Sequence, residues 1–144
     1  MSGPFRLVIP RALYDAMLAH ARAELPAECC GLLAGKVDAG FGRVTQHLPL
    51  INALTSPTEY ESDPRSMFVA HKAMRAAGTE ILAVYHSHPS TDPSPSRRDR
   101  ERSYSDQIVN IIIGLRRVEP KVRGWWLMAD GAREAAWEID SDQH

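Results

Sequence analysis

Cysteine is scarce in this 144-residue chain: Cys29 and Cys30 are the only two, and they stand side by side. Neighbours in sequence cannot staple distant segments, so no disulfide framework holds the fold, and a reducing cytoplasm is the expected compartment. No sign of charge dominates either, with 17 Lys and Arg against 18 Asp and Glu and a formal net charge of −1. That balance leaves no electrostatic footprint for a nucleic-acid partner or a polybasic membrane anchor. Long apolar runs are missing too. Stretches such as 81–85 and 111–113 fall well short of the roughly 20 residues that cross a bilayer. The opening from Met1 to Pro10 holds no apolar core of signal-peptide length, so neither export nor a membrane partner is expected. Repeats, low-complexity tracts and Gly/Ser-rich linkers are absent. What remains, 44% hydrophobic and 24% charged, is a globular composition with enough chain for one hydrophobic core. A single domain over 1–144 is expected.

Periodicity supplies the elements. Leu13, Met17, Leu18, Ala21 and Leu25 make one stripe of an amphipathic helix opened by Pro10 and stopped before Pro26. Residues 31–35 and 42–50 read as strands, and 52–63 as a loop. Asp63-Pro64 starts a second helix, with Met67, Phe68, His71 and Met74 on one face and Gly78 past its end. Residues 81–85 are apolar throughout, as in a strand covered on both faces. After a proline-punctuated loop, Ser96 opens a third helix, and 108–114, 121–129 and 133–139 read as strands. Helices interleaved early with strands that bunch late predict a mixed sheet flanked by helices, α/β in the broad sense and α+β in detail.

Chemistry concentrates between His86 and Asp99. Strand alternation puts His86 and His88 on one side and Ser87 on the other. They lie where an apolar strand runs out into a loop, the place ligands collect in α/β sheets. Two imidazoles at i and i+2 can take two corners of a tetrahedral Zn²⁺, and one carboxylate completes a set that leaves the fourth corner to water. Asp92 and Asp99 both lie downstream. The first sits between prolines in the loop; the second lies one turn inside the helix, where the backbone holds it still. Ser96-x-x-Asp99 also reads as a capping box, and the two readings coexist, because a capping serine sets its neighbours rigidly. The remaining histidines, His20, His47, His71 and His144, are scattered over helix, strand and tail. Cys29 and Cys30 read as small buried residues, and Arg97, Arg98, Arg100 and Arg102 as a solvated helix face. Trp125 and Trp126 fall on opposite faces of a strand, so one enters the core and the other is available to an interface, with a homodimer among the partners to be considered.

His86-x-His88, seven residues, then Ser96-x-x-Asp99 resembles the signature of the JAMM (MPN-plus) zinc isopeptidases. The glutamate context of that family is matched by Pro26-Ala27-Glu28-Cys29-Cys30-Gly31-Leu32-Leu33-Ala34-Gly35. Asn52, Ser56-Pro57 and Asp63-Pro64 extend the likeness over most of the chain, roughly residues 7–139. The resemblance implies an MPN/JAMM-like, cytidine-deaminase-like architecture, with Zn²⁺ on His86, His88 and Asp99. It makes Glu28 the general acid/base and Ser96 the group that stabilises the oxyanion. Zinc with three protein ligands lowers the pKa of water from about 15.7 toward 7, and a nearby base then carries the proton to the leaving amine. Family members cut after the Gly-Gly tail of ubiquitin or a ubiquitin-like protein. Compact prokaryotic-type members, which this chain resembles more, include some that act on small sulfur-carrier proteins. With no large insertion after Asp99, a ubiquitin-like or sulfur-carrier substrate with a free C-terminal extension fits best.

Rival chemistries lack their parts. A thermolysin-type protease needs His-Glu-x-x-His, and a zinc deaminase needs Cys-x-x-Cys. A cupin-like metal enzyme shares the His-x-His start but wants a nearby glutamate and a later strand histidine. A metal-free MPN scaffold, a binding module of the same fold, loses ligands that are all present here.

Overall fold

The computed structural model describes residues 3–103 and 105–141; His144, read above as a tail residue, lies outside them. In chain order the elements are β1 (Arg6–Pro10), α1 (Arg11–Ala23), β2 (Cys30–Asp38), β3 (Phe41–Leu50), α2 (Pro64–Ala77), β4 (Glu80–His88), α3 (Arg97–Arg102), β5 (Val109–Gly114), β6 (Lys121–Met128), β7 (Gly131–Ala135) and β8 (Trp137–Asp140). The strands form one mixed sheet in the order β7-β6-β5-β4-β2-β3-β1-β8. β4 runs parallel to β5 and β1 runs parallel to both β3 and β8; the other pairs are antiparallel. The expected mixed sheet flanked by helices is therefore present.

Two strands depart from the expectation. β1 carries no sequence signal: Leu7-Val8-Ile9 abut the helix-opening Pro10, and so short an apolar run shows no period of its own. In the fold it is buried between β3 and β8. The stretch 133–139 is not one strand but two, broken at Ala136, whose carbonyl accepts from Leu7 N–H at 3.2 Å. β7 and β8 are the two ends of the sheet and only Ala136 separates them in sequence, so the sheet curls into a half-barrel.

The sheet carries a core on each face. On one side α1 buries Met17 and Ala21 against Leu7, Ile9, Leu33, Leu82, Tyr85 and Trp126, among others. On the other, Ala70 and Met74 of α2 pack over Cys30, Leu32, Ala34 and Leu50. Trp126 is the tryptophan that enters the core; Trp125 instead donates its ring N–H to Pro93 carbonyl at 3.0 Å, tying down the loop after β4. α2 is bounded as its sequence dictates. The Asp63 carboxylate accepts from Ser66 N–H, Pro64 takes the first position, and Gly78 closes the helix at φ +68°, a conformation that costs glycine nothing. Gly31 is required for another reason: a methyl group on it would overlap the Tyr85 ring.

Candidate metal centre

β4 is hydrogen-bonded between β2 and β5 to its last residues, with His86 opposite Cys30 and Ile112, and His88 opposite Gly114. This central position buries both imidazoles, His86 to 1% exposure. Ser87, on the other face, is fully buried. Its hydroxyl accepts from Cys29 N–H at 2.8 Å while its own N–H donates to Cys29 carbonyl at 3.2 Å. The end of β4 is thereby stitched to the residue after Glu28.

Asp99 comes to the imidazoles from α3. Ser96 is the N-cap: its hydroxyl accepts from Asp99 N–H at 3.0 Å, and its N–H donates to the Asp99 carboxylate at 2.8 Å. Cap and cluster thus use the same carboxylate. Its Oδ1 lies 3.0 Å from His86 Nε2 and its Oδ2 lies 3.2 Å from His88 Nε2. One donor atom from each of the three residues falls within 4.8 Å of the others. Burial alone would raise the Asp99 pKa, but the two imidazoles beside it outweigh burial and hold the carboxyl well below the usual carboxylate range. Asp92 contributes differently from Asp99. Its carboxylate is exposed and faces Arg116 at 3.5 Å, whereas its backbone carbonyl accepts from His88 Nδ1 at 2.9 Å. That bond puts the His88 hydrogen on Nδ1 and turns the Nε2 lone pair toward the cluster, the usual arrangement behind a metal-binding histidine.

His86 supplies the test of fit. Although buried, neither of its ring nitrogens has a hydrogen-bond partner, and the 3.0 Å approach to Asp99 lacks hydrogen-bond geometry. An unsatisfied buried donor or acceptor costs about 1–3 kcal/mol. Two imidazoles and a carboxylate brought this close, with His86 left unpartnered, are a donor set that fits a divalent metal ion.

Glu28 approaches from the link between α1 and β2 and is only 5% exposed. Its N–H donates to Ser56 carbonyl at 2.7 Å, and its carbonyl accepts from the Asn52 side chain at 3.0 Å. The peptide on each side is thus fixed. Burial pushes the Glu28 carboxyl up to about 7; His88 opposes that shift, and the Asp99 and Glu59 charges add to it. Cys29 and Cys30 are buried thiols, pushed up to about 12, so they stay protonated and are poor nucleophiles or ligands.

Around this centre stand residues whose contacts sequence patterns do not reveal. Ser87 looked merely turned away, yet it fixes Cys29. Asn52 anchors the loop 52–62 by donating to Glu28 and Glu59 carbonyls and accepting from Leu54 and Glu61 N–H. Tyr60 stacks on His86 with ring centroids 4.8 Å apart. Arg98 and Arg102 are not simply solvated: the first pairs with Glu59 and the second donates to Tyr60 carbonyl at 2.6 Å. A loop tyrosine and a helix arginine carry no local signal of such contacts. Among the described residues the other histidines stand elsewhere, His71 exposed on α2 and His20 and His47 against Tyr85, so the later strand histidine of a cupin-like site is missing.

A family profile described as prokaryotic homologs of the JAB domain matches residues 10–128, a span that includes Glu28, His86, His88, Ser96 and Asp99. The CysO-cysteine peptidase of Mycobacterium tuberculosis is 43% identical over 93 residues, 65% of this chain, and the match spans 62% of that protein's length. The desampylase of Haloferax volcanii is 41% identical over 103 residues, covering 68% of this chain and 73% of its own. A Desulfitobacterium hafniense protein of known solution structure superimposes with a TM-score of 0.86 at 32% identity, covering 96% of this chain and 95% of that one.

Proposed function

Because the chain belongs to the family of prokaryotic homologs of the JAB domain, we propose that it is a zinc-dependent peptidase. Its reaction is hydrolysis of the peptide or isopeptide bond after the C-terminal Gly-Gly of a ubiquitin-like protein, a small sulfur carrier best of all. The observation that carries this reading is the convergence of His86, His88 and Asp99 beside a buried carboxyl, Glu28, poised near neutrality. Relatives named for cleaving CysO-cysteine and for desampylation support the substrate class.

In this reading His86, His88 and Asp99 would hold Zn²⁺. The ion supplies Lewis acidity, acidifying water and polarising the scissile carbonyl. Glu28 accepts the proton of the attacking water and delivers it to the leaving amine, a task suited to an acid whose pKa lies near the working pH. The Ser96 hydroxyl uses an oxygen lone pair for the Asp99 N–H, so its own hydrogen stays free for the developing oxyanion. Such a donor is worth about 3–4 kcal/mol of barrier. The cytoplasm, where the two buried thiols stay reduced, is the compartment of this activity. No helix among the described residues is long and apolar enough to cross a membrane.

Zinc-loaded protein incubated with ubiquitin-fold carriers that bear a C-terminal extension tests the reading. The expected product is the carrier ending in Gly-Gly, identified by mass. Intact substrate after incubation with protein that does hold zinc would remove this substrate class.

A further inference from the structure

His86 and His88 are oriented by different means. His88 has a hydrogen bond on the ring nitrogen that faces away from Asp99, to Asp92 carbonyl at 2.9 Å. His86 has none on either nitrogen, yet its Nε2 must point at the same centre. Tyr60 lies along its ring, nearly parallel at 24° and 4.8 Å away. Tyr60 belongs to a loop with no helix or strand of its own, and the stretch 59–61 is gripped from two sides. Asn52 bonds Glu59 carbonyl and Glu61 N–H. From α3, Arg98 pairs with Glu59 and Arg102 donates to Tyr60 carbonyl. Arg98 and Arg102 are four residues apart, so they project from one side of the helix, and the same helix delivers Asp99.

We propose that Arg98 and Arg102 are positioning residues that clasp the loop 52–62 onto the metal centre, so that the Tyr60 ring does for His86 what the Asp92 carbonyl does for His88. The stack restricts rotation of the imidazole about its own bonds and excludes water from one of its faces. α3 then sets two ligands together, Asp99 directly and His86 through the clasp. The inference rests on the zinc reading above and adds to it the device that orients His86. Losing an orienting partner of a metal-binding histidine typically costs about 10–100-fold in metal affinity.

Zinc transfer to a chromophoric chelator, followed from the loaded protein, tests the clasp without any measurement of catalysis. Tyr60→Ala and the double variant Arg98→Ala/Arg102→Ala are expected to release zinc about tenfold faster. Tyr60→Phe, which keeps the ring, is expected to restore the slow release. Arg97→Ala removes a guanidinium that pairs with Glu101 of its own helix, and should leave the rate unchanged. Melting temperatures of the zinc-free variants, expected equal to wild type, separate the clasp from general loosening. If Tyr60→Ala fails to fold, the double arginine variant decides, since both of its side chains reach the loop from the surface. Wild-type protein that takes up no zinc would overturn the metal reading itself. Wild-type protein that holds zinc no longer than the folded double variant overturns the clasp alone.

Discussion

Two groups of histidines flank β4, and a single residue step along the strand separates them. Tyr85 points to the α1 side, where its buried hydroxyl lies 2.6 Å from His20 Nδ1 and 2.7 Å from His47 Nε2. His86 points to the α2 side, toward His88 and Asp99. The first group closes on itself. His20 Nε2 faces Glu24 at 3.6 Å, so its hydrogen belongs there, its Nδ1 accepts from Tyr85, and Tyr85 accepts from His47. Each imidazole thus has the phenol as a hydrogen-bond partner. The second group is more deeply buried and has a carboxylate where the first has a phenol. His88 Nε2 reaches Asp99 Oδ2 at 3.2 Å, but neither ring nitrogen of His86 has a hydrogen-bond partner. The unfilled donors of His86 are what set the second group apart.

The largest effect is expected from the open group. Glu28→Gln keeps shape and removes the titrating carboxyl, and turnover should fall by about 10²–10⁴-fold while bound zinc, measured by mass, stays the same. Full turnover in that variant would take Glu28 out of the mechanism. Next comes Ser96→Ala, expected to lower kcat by about 10²–10³-fold. Melting temperature should drop with it, because the same hydroxyl caps α3; a stability loss with unchanged kcat would leave Ser96 a cap only.

The closed group should answer to acid instead. Burial lowers His47 to about 4 and lowers His20 as well. Between the ordinary histidine pKa of 6.5 and about 4, the unfolded chain binds a proton at position 47 that the folded chain refuses. Stability is then fully present above that window and falls as pH drops through it, by up to about 3 kcal/mol. Denaturant titrations across this range should show the slope in the wild type and a flatter one in His47→Gln; equal slopes would refute the assignment. Tyr85→Phe, which leaves two imidazoles without their shared partner, is expected to cost about 1–3 kcal/mol with zinc content unaltered. Smallest of all is Asp92→Asn, which leaves the backbone carbonyl on His88 in place and should change neither zinc binding nor turnover.

How much of this was legible beforehand follows the range of each interaction. His86, His88, Ser96 and Asp99 lie within fourteen residues; strand alternation pairs the histidines and the helix cap pairs Ser96 with Asp99, while the choice of Asp99 over Asp92 comes from the resemblance. Glu28 is fifty-eight residues from His86; as a lone loop glutamate it was indistinguishable from a solvated one, and only the resemblance of its neighbours to a known pattern singled it out. The pairing of Tyr85 with His20 and His47, and the grip of Arg98 and Arg102 on the loop, join segments whose approach is fixed by the sheet order, to which no periodicity points. The same holds for β1, whose partners β3 and β8 come from opposite ends of the chain. Helix α2 was readable to its caps because Asp63, Pro64 and Gly78 act within one turn.

The contrast between a satisfied and an unsatisfied histidine group is tested most directly by native mass spectrometry of the wild type beside Asp99→Asn and Tyr85→Phe, each offered zinc. A single zinc is expected on the wild type and on Tyr85→Phe, and none retained by Asp99→Asn. Zinc held equally by Asp99→Asn, or lost from Tyr85→Phe while that variant remains folded, would contradict the account.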